Sequence, residues 1–535
     1  MKKIYLSLLL LCMLAFQTLQ AQTRYFDPVF SNVTVTPNVP YGLNTTVLAF
    51  PTLIKQPLIM DVYQPAGDAQ TDRPVVLYLH TGNFLPFQSP IDGSLGFNGS
   101  CGGTIRDSAA IEFCTRLAQM GYVACAVDYR LGWNPLASSD VDRRYGIINA
   151  AYRGIQDMRT CIRYFRKTVK EAGNPWGINP DKIVVWGQGT GGYLTLNGVC
   201  LDNYTKIPFA SEGKFLWDHD QNPATPPIPM VVPQVNGDIN GTSVGVIPGT
   251  TDTLCFPNNV AAPDGTPYSS SFALAVNMGG ACADSAWVDP GQSPLISFHV
   301  PYDNFAPYAE GIVNVPGTNL QVVKVQGAYV VQQMMEQFNN NAAFDDQYIP
   351  TLGGNQLAAF QNTPQLSGNN WTDATPGLYP FVMPIVQQTP VVLPSTTAPW
   401  EWSGTVPNNP TCNTDKASAL RYIDTIMQFV TPRACFVLGL QSCIDRVVAN
   451  KEPLANNIAV TAAPNPATSE IRFTADENQP IQSMQVFDMH GRMIRDIRDI
   501  NNNFFALQRN GLPNGAFVAK MYFKEGVKAV RFILE

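Results

Sequence analysis

Val184 to Gly192 reads VVWGQGTGG. Two valines and a tryptophan run straight into a cluster of glycines, the mark of a buried strand entering a tight turn. Gly187, Gly189 and Gly192 spell G-x-G-x-x-G, the turn that cradles a dinucleotide pyrophosphate. That reading needs more context. The turn must follow the first strand of a βαβ unit, and an acidic residue must close a second apolar strand about 20 positions on. The chain instead continues LNGVCLDNYTKIPFASEGKF, where Asp202 comes too early and Glu212 stands in loop-like sequence. No cofactor is expected from this turn. Shifted by one register, the same stretch is a strand-to-helix turn with a glycine at its apex: Gly187-Gln188-Gly189-Thr190-Gly191.

On both sides, buried strands alternate with amphipathic helices. LIMDVYQP (58–65), RPVVLYLH (73–80) and GYVACAVDYR (121–130) read as strands, rich in β-branched and apolar residues. Ser108 to Met120 has helical spacing, with Ile111, Cys114, Leu117 and Ala118 on one face. Ala150 to Glu171 repeats it through Ile155, Met158, Ile162, Phe165 and Val169. INPDKIVVWG (178–187) is a further strand, and Gly192 to Cys200 the helix after it. FALAVNM (272–278) and PLISFHV (294–300) add two strands, and Asp415 to Val430 a closing helix. This alternation predicts a doubly wound, mostly parallel α/β sheet. Residues 202–272, rich in Pro, Gly and Asn, interrupt it and are expected to form an insertion or lid over one end of the sheet. Residues 340–412 are again loop-rich.

HTGNF (80–84) ends its strand much as HGGGF does in carboxylesterases and lipases. VDYRLG (127–132) resembles the strand that follows in that family. AAYRGIQDMRTCIRYFRKTVKEAGNPWGINPDKIVVWGQGTGG (150–192) resembles its helix, turn and nucleophile elbow. HVPYDNFAPY (299–308) resembles the stretch that carries the acid. Over about residues 50 to 310 the chain therefore resembles α/β-hydrolases of the secreted carboxylesterase type.

The resemblance implies a triad in the chain order Ser, acid, His, held at strand ends. It places Gly189 at the serine position and Asp303 at the acid position. Glycine has no side chain to attack with. The base should lie between Asp303 and the closing helix, yet the four histidines are His80, His219, His299 and His490, and 391–412 contain none. The oxyanion-type positions fall on His80, Gly82 and Thr190, with Thr81 and Asn83 replacing two glycines. Thr190 follows the elbow apex, where the backbone N–H serves and the side chain points elsewhere. Glu401, in APWEW, has the chemistry of a carboxylate base but reads as a surface loop acid. WDHDQN (217–222) has the residue types of metal ligands but reads as a polar loop, so no metal is expected. His80 and Asp303 read as structural ties between strand ends and loops.

Composition bounds the rest. The net charge is −7 and only 14% of residues are charged, with basic residues scattered, which excludes nucleic acid as a partner. Lys2 and Lys3, a short apolar run from Ile4 to Phe16 and a small Ala21 predict a signal peptide over 1–22. An exported protein allows disulfides, though pairing cannot be deduced from sequence. Cys435 and Cys443 are close, Cys255 and Cys282 bracket a loop-rich stretch, and Cys125 lies inside an apolar strand. After a hydrolase-like domain over 23–445 and a linker over 446–458, residues 459–535 read as short alternating strands, a small all-β sandwich.

PNP (464–466), VFDMHGRMI (486–494) and LPNGAFVAKMYF (512–523) resemble the sorting domain of the type IX secretion system, with Phe517 where that family usually has tyrosine. This implies a Bacteroidetes-type outer-membrane route, with the secretion machinery as partner of 459–535 and a secreted or cell-surface location. The sequence thus predicts an exported α/β-hydrolase-like protein without an intact catalytic site, acting by binding or at the surface. An apolar or ester-like small ligand is its expected guest. The alternative is an active carboxylesterase or lipase-like hydrolase with a non-standard site.

Overall fold

The computed structural model describes residues 22–49, 52–85, 101–218, 222, 224–303, 305–315, 318, 320–345, 375–381, 397–403, 412–449, 458–476, 478–488, 493–524 and 526–535. Most of the signal peptide, the WDHDQN residues His219, Asp220 and Gln221, and 450–457 of the linker lie outside them. The chain divides into two compact units, 1–446 and 447–535.

The first unit is built on one sheet of eight strands. In chain order these are β1 (Val33–Ala49), β2 (Thr52–Pro65), β3 (Arg73–Leu79), β4 (Val123–Val127), β5 (Ile178–Gln188), β6 (Leu274–Met278), β7 (Leu295–His299) and β10 (Leu378–Pro380). Their spatial order is β1-β2-β4-β3-β5-β6-β7-β10. Strand β2 pairs antiparallel with both β1 and β4, and the remaining neighbours pair parallel. Every residue of β3, β4, β6 and β7 is buried, as parallel strands covered on both faces require. Each such Val or Leu side chain contributes about 1.5–3 kcal/mol by leaving water.

The helices cover the two faces. Helix α1 (Ser108–Gln119) buries Phe113, Cys114, Leu117 and Ala118, whereas Ile111, expected on that face, is 42% exposed. The face is set by Phe113, one helical turn before Leu117. Helix α2 (Asp140–Glu171) begins ten residues earlier than its apolar period suggests. Its first turns are polar, but Ser139 caps it by accepting from Asp142 N at 3.0 Å. Helix α3 (Thr190–Cys200) starts directly after the elbow, two residues before its expected start.

Strand β1 and strand β10 were not foreseen. VTVTPNVPYGLNTTVLA carries prolines and polar residues that mask its period, and β10 contributes only three residues. Residues 202–272 reach one end of the sheet only in part. Instead, 236–259 runs along α2, whose side chains hold its carbonyls. Tyr152 Oη donates to Gly237 O at 3.0 Å, Gln156 Nε2 to Asn236 O at 2.8 Å and Arg163 Nη2 to Asn258 O at 3.1 Å. An irregular segment buried this way must have its polar backbone groups satisfied from outside itself.

The closing helix, here α5 (Lys416–Val437), follows helix α4 (Ala328–Gln337) and continues past the expected Val430 through Pro432. Disulfides join Cys101 to Cys412 and Cys435 to Cys443, while Cys125, Cys255 and Cys282 are buried free thiols.

The second unit consists of two antiparallel sheets sharing one core. One is formed by Val460–Ala463, Glu470–Ala475 and Phe504–Gln508, the other by Met493–Ile497, Ser483–Asp488, Gly515–Phe523 and Gly526–Leu534. Phe517 is 3% exposed and stacks on Phe532, ring centroids 5.5 Å apart, so the position needs no hydroxyl.

Candidate functional site

The end of β5 delivers the opening stretch to the carboxyl edge of the sheet. Gly189 has φ 54° and ψ −117°, a backbone that side-chain-bearing residues adopt only under strain. Its N–H donates to Met278 O at 2.8 Å, and its carbonyl starts α3 by accepting from Tyr193 N at 3.0 Å. Gly192 lets α3 approach β6, since a Cβ there would lie 2.6 Å from Asn277 Oδ1. The glycines thus serve a sharp turn and close helix–strand packing. Strand β7, ending at His299, leads to Asp303; residues 391–396, part of the stretch where a base was expected, lie outside the described residues.

The apex itself is occupied by a neighbour. A Cβ on Gly189 would stand 2.8 Å from Thr81 Cβ and closer still to Thr81 Oγ1. Thr81 Cγ2 likewise fills the space of a Cβ on Gly102, itself at φ +103°. Thr81 is therefore wedged between two glycines, in the volume a nucleophile's side chain would need.

The other site positions are equally specific. Thr190 packs its hydroxyl 3.0 Å from Tyr129 Oη, away from the apex. Its N–H, at the first helical position, belongs to those without an intrahelical partner. Gly82, at φ +133°, passes Gly103 so closely that a Cβ would lie 3.0 Å from Gly103 Cα. His80 is buried below this loop, stacked on Tyr129 at 4.6 Å, with Nε2 3.4 Å from Asp128 Oδ1. Burial opposes its charge, but Asp128 and Asp107 together raise its pKa. His299 is buried and bonded through Nε2 to Ala306 O at 2.9 Å; burial lowers its pKa to about 4.

Asp303 accepts on Oδ1 from Phe305 N at 2.7 Å and Ala306 N at 3.2 Å. Desolvation raises its carboxyl to about 7, against the pull of those two N–H groups. His299 and Asp303 both fasten the turn at Ala306.

Glu401 corrects the sequence reading. It lies on strand β11 (Ala398–Trp402), only 1% exposed, not on a surface loop. It accepts from Gln188 Nε2 at 2.9 Å and from Ala109 N at 3.0 Å, at the start of α1. Desolvation and Asp107 raise its pKa to about 8. Gln188 in turn accepts from Tyr78 Oη at 2.8 Å and Trp400 Nε1 at 3.0 Å. The carboxyl sits beneath the elbow rather than beside it. The signal was present: tryptophans flank Glu401 on both sides, a pattern that suits a strand.

Above the elbow opens a cavity of about 430 Å³. Gly189, Thr81 and Asp303 form its floor. Ile148, Tyr152 and Ile155 of α2 make one wall. A hairpin of strands β8 (Glu310–Asn314) and β9 (Gln321–Gln326) adds Val313, Val323 and Val325 to the lining. Phe215, from the 202–272 segment, lines the cavity together with Leu201 and Trp287. This is a volume and an apolar lining suited to a small organic guest. Among the described residues no group of His, Cys, Asp and Glu could hold a metal ion.

With eight strands in this order and the elbow after the fifth, the fold is decided. The first unit has the α/β-hydrolase fold. Comparison with known proteins adds the tail: residues 461–535 match the family of secretion system C-terminal sorting domains. The chain therefore carries a type IX sorting domain and is exported, to the cell surface or beyond it. A search of curated proteins returns no match to the sequence.

Among solved structures, paraoxon-phosphorylated esterase 2 of Thermogutta terrifontis is 18% identical, aligned over 52% of this chain and 74% of its own, with a TM-score of 0.26. The apo form of that esterase gives 17%, 52%, 75% and 0.24. A bacterial brefeldin A esterase, described as a homologue of human hormone-sensitive lipase, gives 19%, 32%, 36% and 0.19. The fold assignment rests on the strand order and the elbow, not on these values.

Proposed function

We propose that the exported chain is a non-catalytic relative of hydrolases, one that binds an apolar small molecule above an empty elbow. The observation that carries this reading is Thr81, packed into the volume of the absent nucleophile while the cavity above it stays open. The missing base supports it independently, because no histidine lies between Asp303 and the second unit. Triad members act as a unit, so losing two of three leaves little to repair. Glu401 offers no substitute, being bonded to Gln188 and Ala109 and not itself among the residues that line the cavity. Thr190 offers none either, since its hydroxyl is engaged with Tyr129 Oη.

The test is to give the purified chain p-nitrophenyl esters of graded chain length and, separately, the neutral apolar dye Nile red. The expected outcome is dye binding with saturation and ester turnover at the buffer rate. Turnover well above that rate overturns the non-catalytic reading, and absence of saturable dye binding overturns the binding reading.

A further inference from the structure

Asp303 is the charge-bearing residue in the cavity lining, and no Lys, Arg or His lines the cavity among the described residues. The sequence extends the point. Residues 325–415 contain no Lys, Arg or His at all. A carboxyl in an apolar chamber normally has a counter-charge, because an uncompensated buried charge is costly. Here the fold fixes one oxygen and leaves the other toward the chamber. Oδ1 is held by the N–H groups of Phe305 and Ala306, while Oδ2 turns toward Gly279.

The gap over Gly279 has a second wall. A Cβ on Gly279 would stand 3.7 Å from Asp303 Oδ2 and 3.6 Å from Trp400 Cη2, ordinary contact distances to both. Gly279, Asp303 and Trp400 all line the cavity, so a guest group resting over Gly279 meets a carboxylate oxygen and the indole together. The indole is immobilised by its bond to Gln188. Carboxylate and indole together match an organic cation: the carboxylate supplies charge and acceptor, and an indole attracts a cation that settles over its face.

Resting on the binding reading above, we infer that the ligand is an amphiphilic amine, its ammonium held between Asp303 and Trp400 and its apolar body lying along the α2 and β8–β9 walls. Fatty acids and other anions are rejected, since a second carboxylate beside Asp303 forces one of the two to give up its charge. The proton balance favours the amine further. A desolvated Asp303 recovers its ionised form when a cation neutralises it, and Tyr193, the titratable group of α3 facing it, stays protonated.

The inference is tested by displacing Nile red from the purified chain with dodecylamine, dodecanol and dodecanoate at about pH 8, where an alkyl amine is still charged. Dodecylamine should compete at least about tenfold better than dodecanoate, with dodecanol between them. Asp303→Asn should abolish the preference for amine over alcohol. Should that variant fail to fold, the ranking on the natural chain decides alone. Dodecanoate competing as well as the amine, or a preference that survives in Asp303→Asn, overturns the inference while leaving the binding reading intact. A chain that takes up no Nile red overturns both.

Discussion

Gly189 and Thr81 form a matched pair. The glycine supplies a left-handed backbone at φ 54°, and the threonine fills the room its missing side chain leaves. Gly189→Ala and Gly189→Ser should each cost about 1–3 kcal/mol by overpacking, on top of the backbone strain. Part of that loss should be recovered when Thr81→Gly is added to Gly189→Ala, giving a coupling of about 1 kcal/mol or more in a double-mutant cycle. Urea unfolding of the four proteins measures it, and additive losses would show that the two residues do not share that space. Gly189→Ser should restore no ester hydrolysis, with or without Thr81→Gly, since no base follows.

Asp303 makes a second prediction at this scale. Its folded pKa of about 7 stands above the ordinary unfolded value near 4. Between those two values the folded chain keeps a proton that the unfolded chain has lost, so the contribution of this group to stability is full below about pH 4 and falls as pH rises to 7. Glu401, raised to about 8, acts in the same direction over a wider span. Asp303→Asn should flatten the decline between pH 4 and 7 and leave the Glu401 part. An unchanged pH profile of the melting temperature would contradict the buried-carboxyl account.

Sequence made Gly189 and Asp303 legible because the motif fixes their spacing. It left Thr81 as a mere departure from glycine, because which side chain fills a neighbour's volume is a matter of three-dimensional packing. Glu401 was misread for a related reason: a lone acid between prolines and tryptophans carries no marker of the buried Gln188 amide it meets.

Among the elements, α2 does most to organise the unit. Its Asp157 pairs with Arg130 at 2.8 Å, both side chains fully buried, and also accepts from Arg130 N at 2.8 Å. The same guanidinium reaches Gln156 Oε1 at 2.9 Å and Leu254 O at 3.1 Å. One ion pair thus joins the end of β4, the cavity wall and the 236–259 segment. Asp157→Ala should cost about 3–5 kcal/mol, because it strands a buried guanidinium. A loss under about 1 kcal/mol in urea unfolding would show that the segment is held by other means.

The strands of the parallel core were readable as continuous apolar runs. β1 was not, because its role as an outer antiparallel strand tolerates polar and proline residues. The path of 236–259 was unreadable too, since its binding energy lies in carbonyl contacts from α2 rather than in its own side chains.

The whole molecule joins an α/β-hydrolase fold to a sorting domain for type IX export. Among the described residues no helix is long and apolar enough to cross a membrane. The two disulfides fit an exported destination, and Cys101–Cys412 ties a residue lining the cavity to a short strand just before the closing helix across 311 positions. On the proposed reading, an exported hydrolase fold keeps its elbow and an apolar chamber but not the reacting groups. The most direct measurement is the intact mass of the purified chain after prolonged incubation with a fluorophosphonate. The mass should be unchanged, because nothing at the elbow can attack phosphorus. A stoichiometric phosphonyl adduct would contradict the account, and its position in the chain would identify the nucleophile.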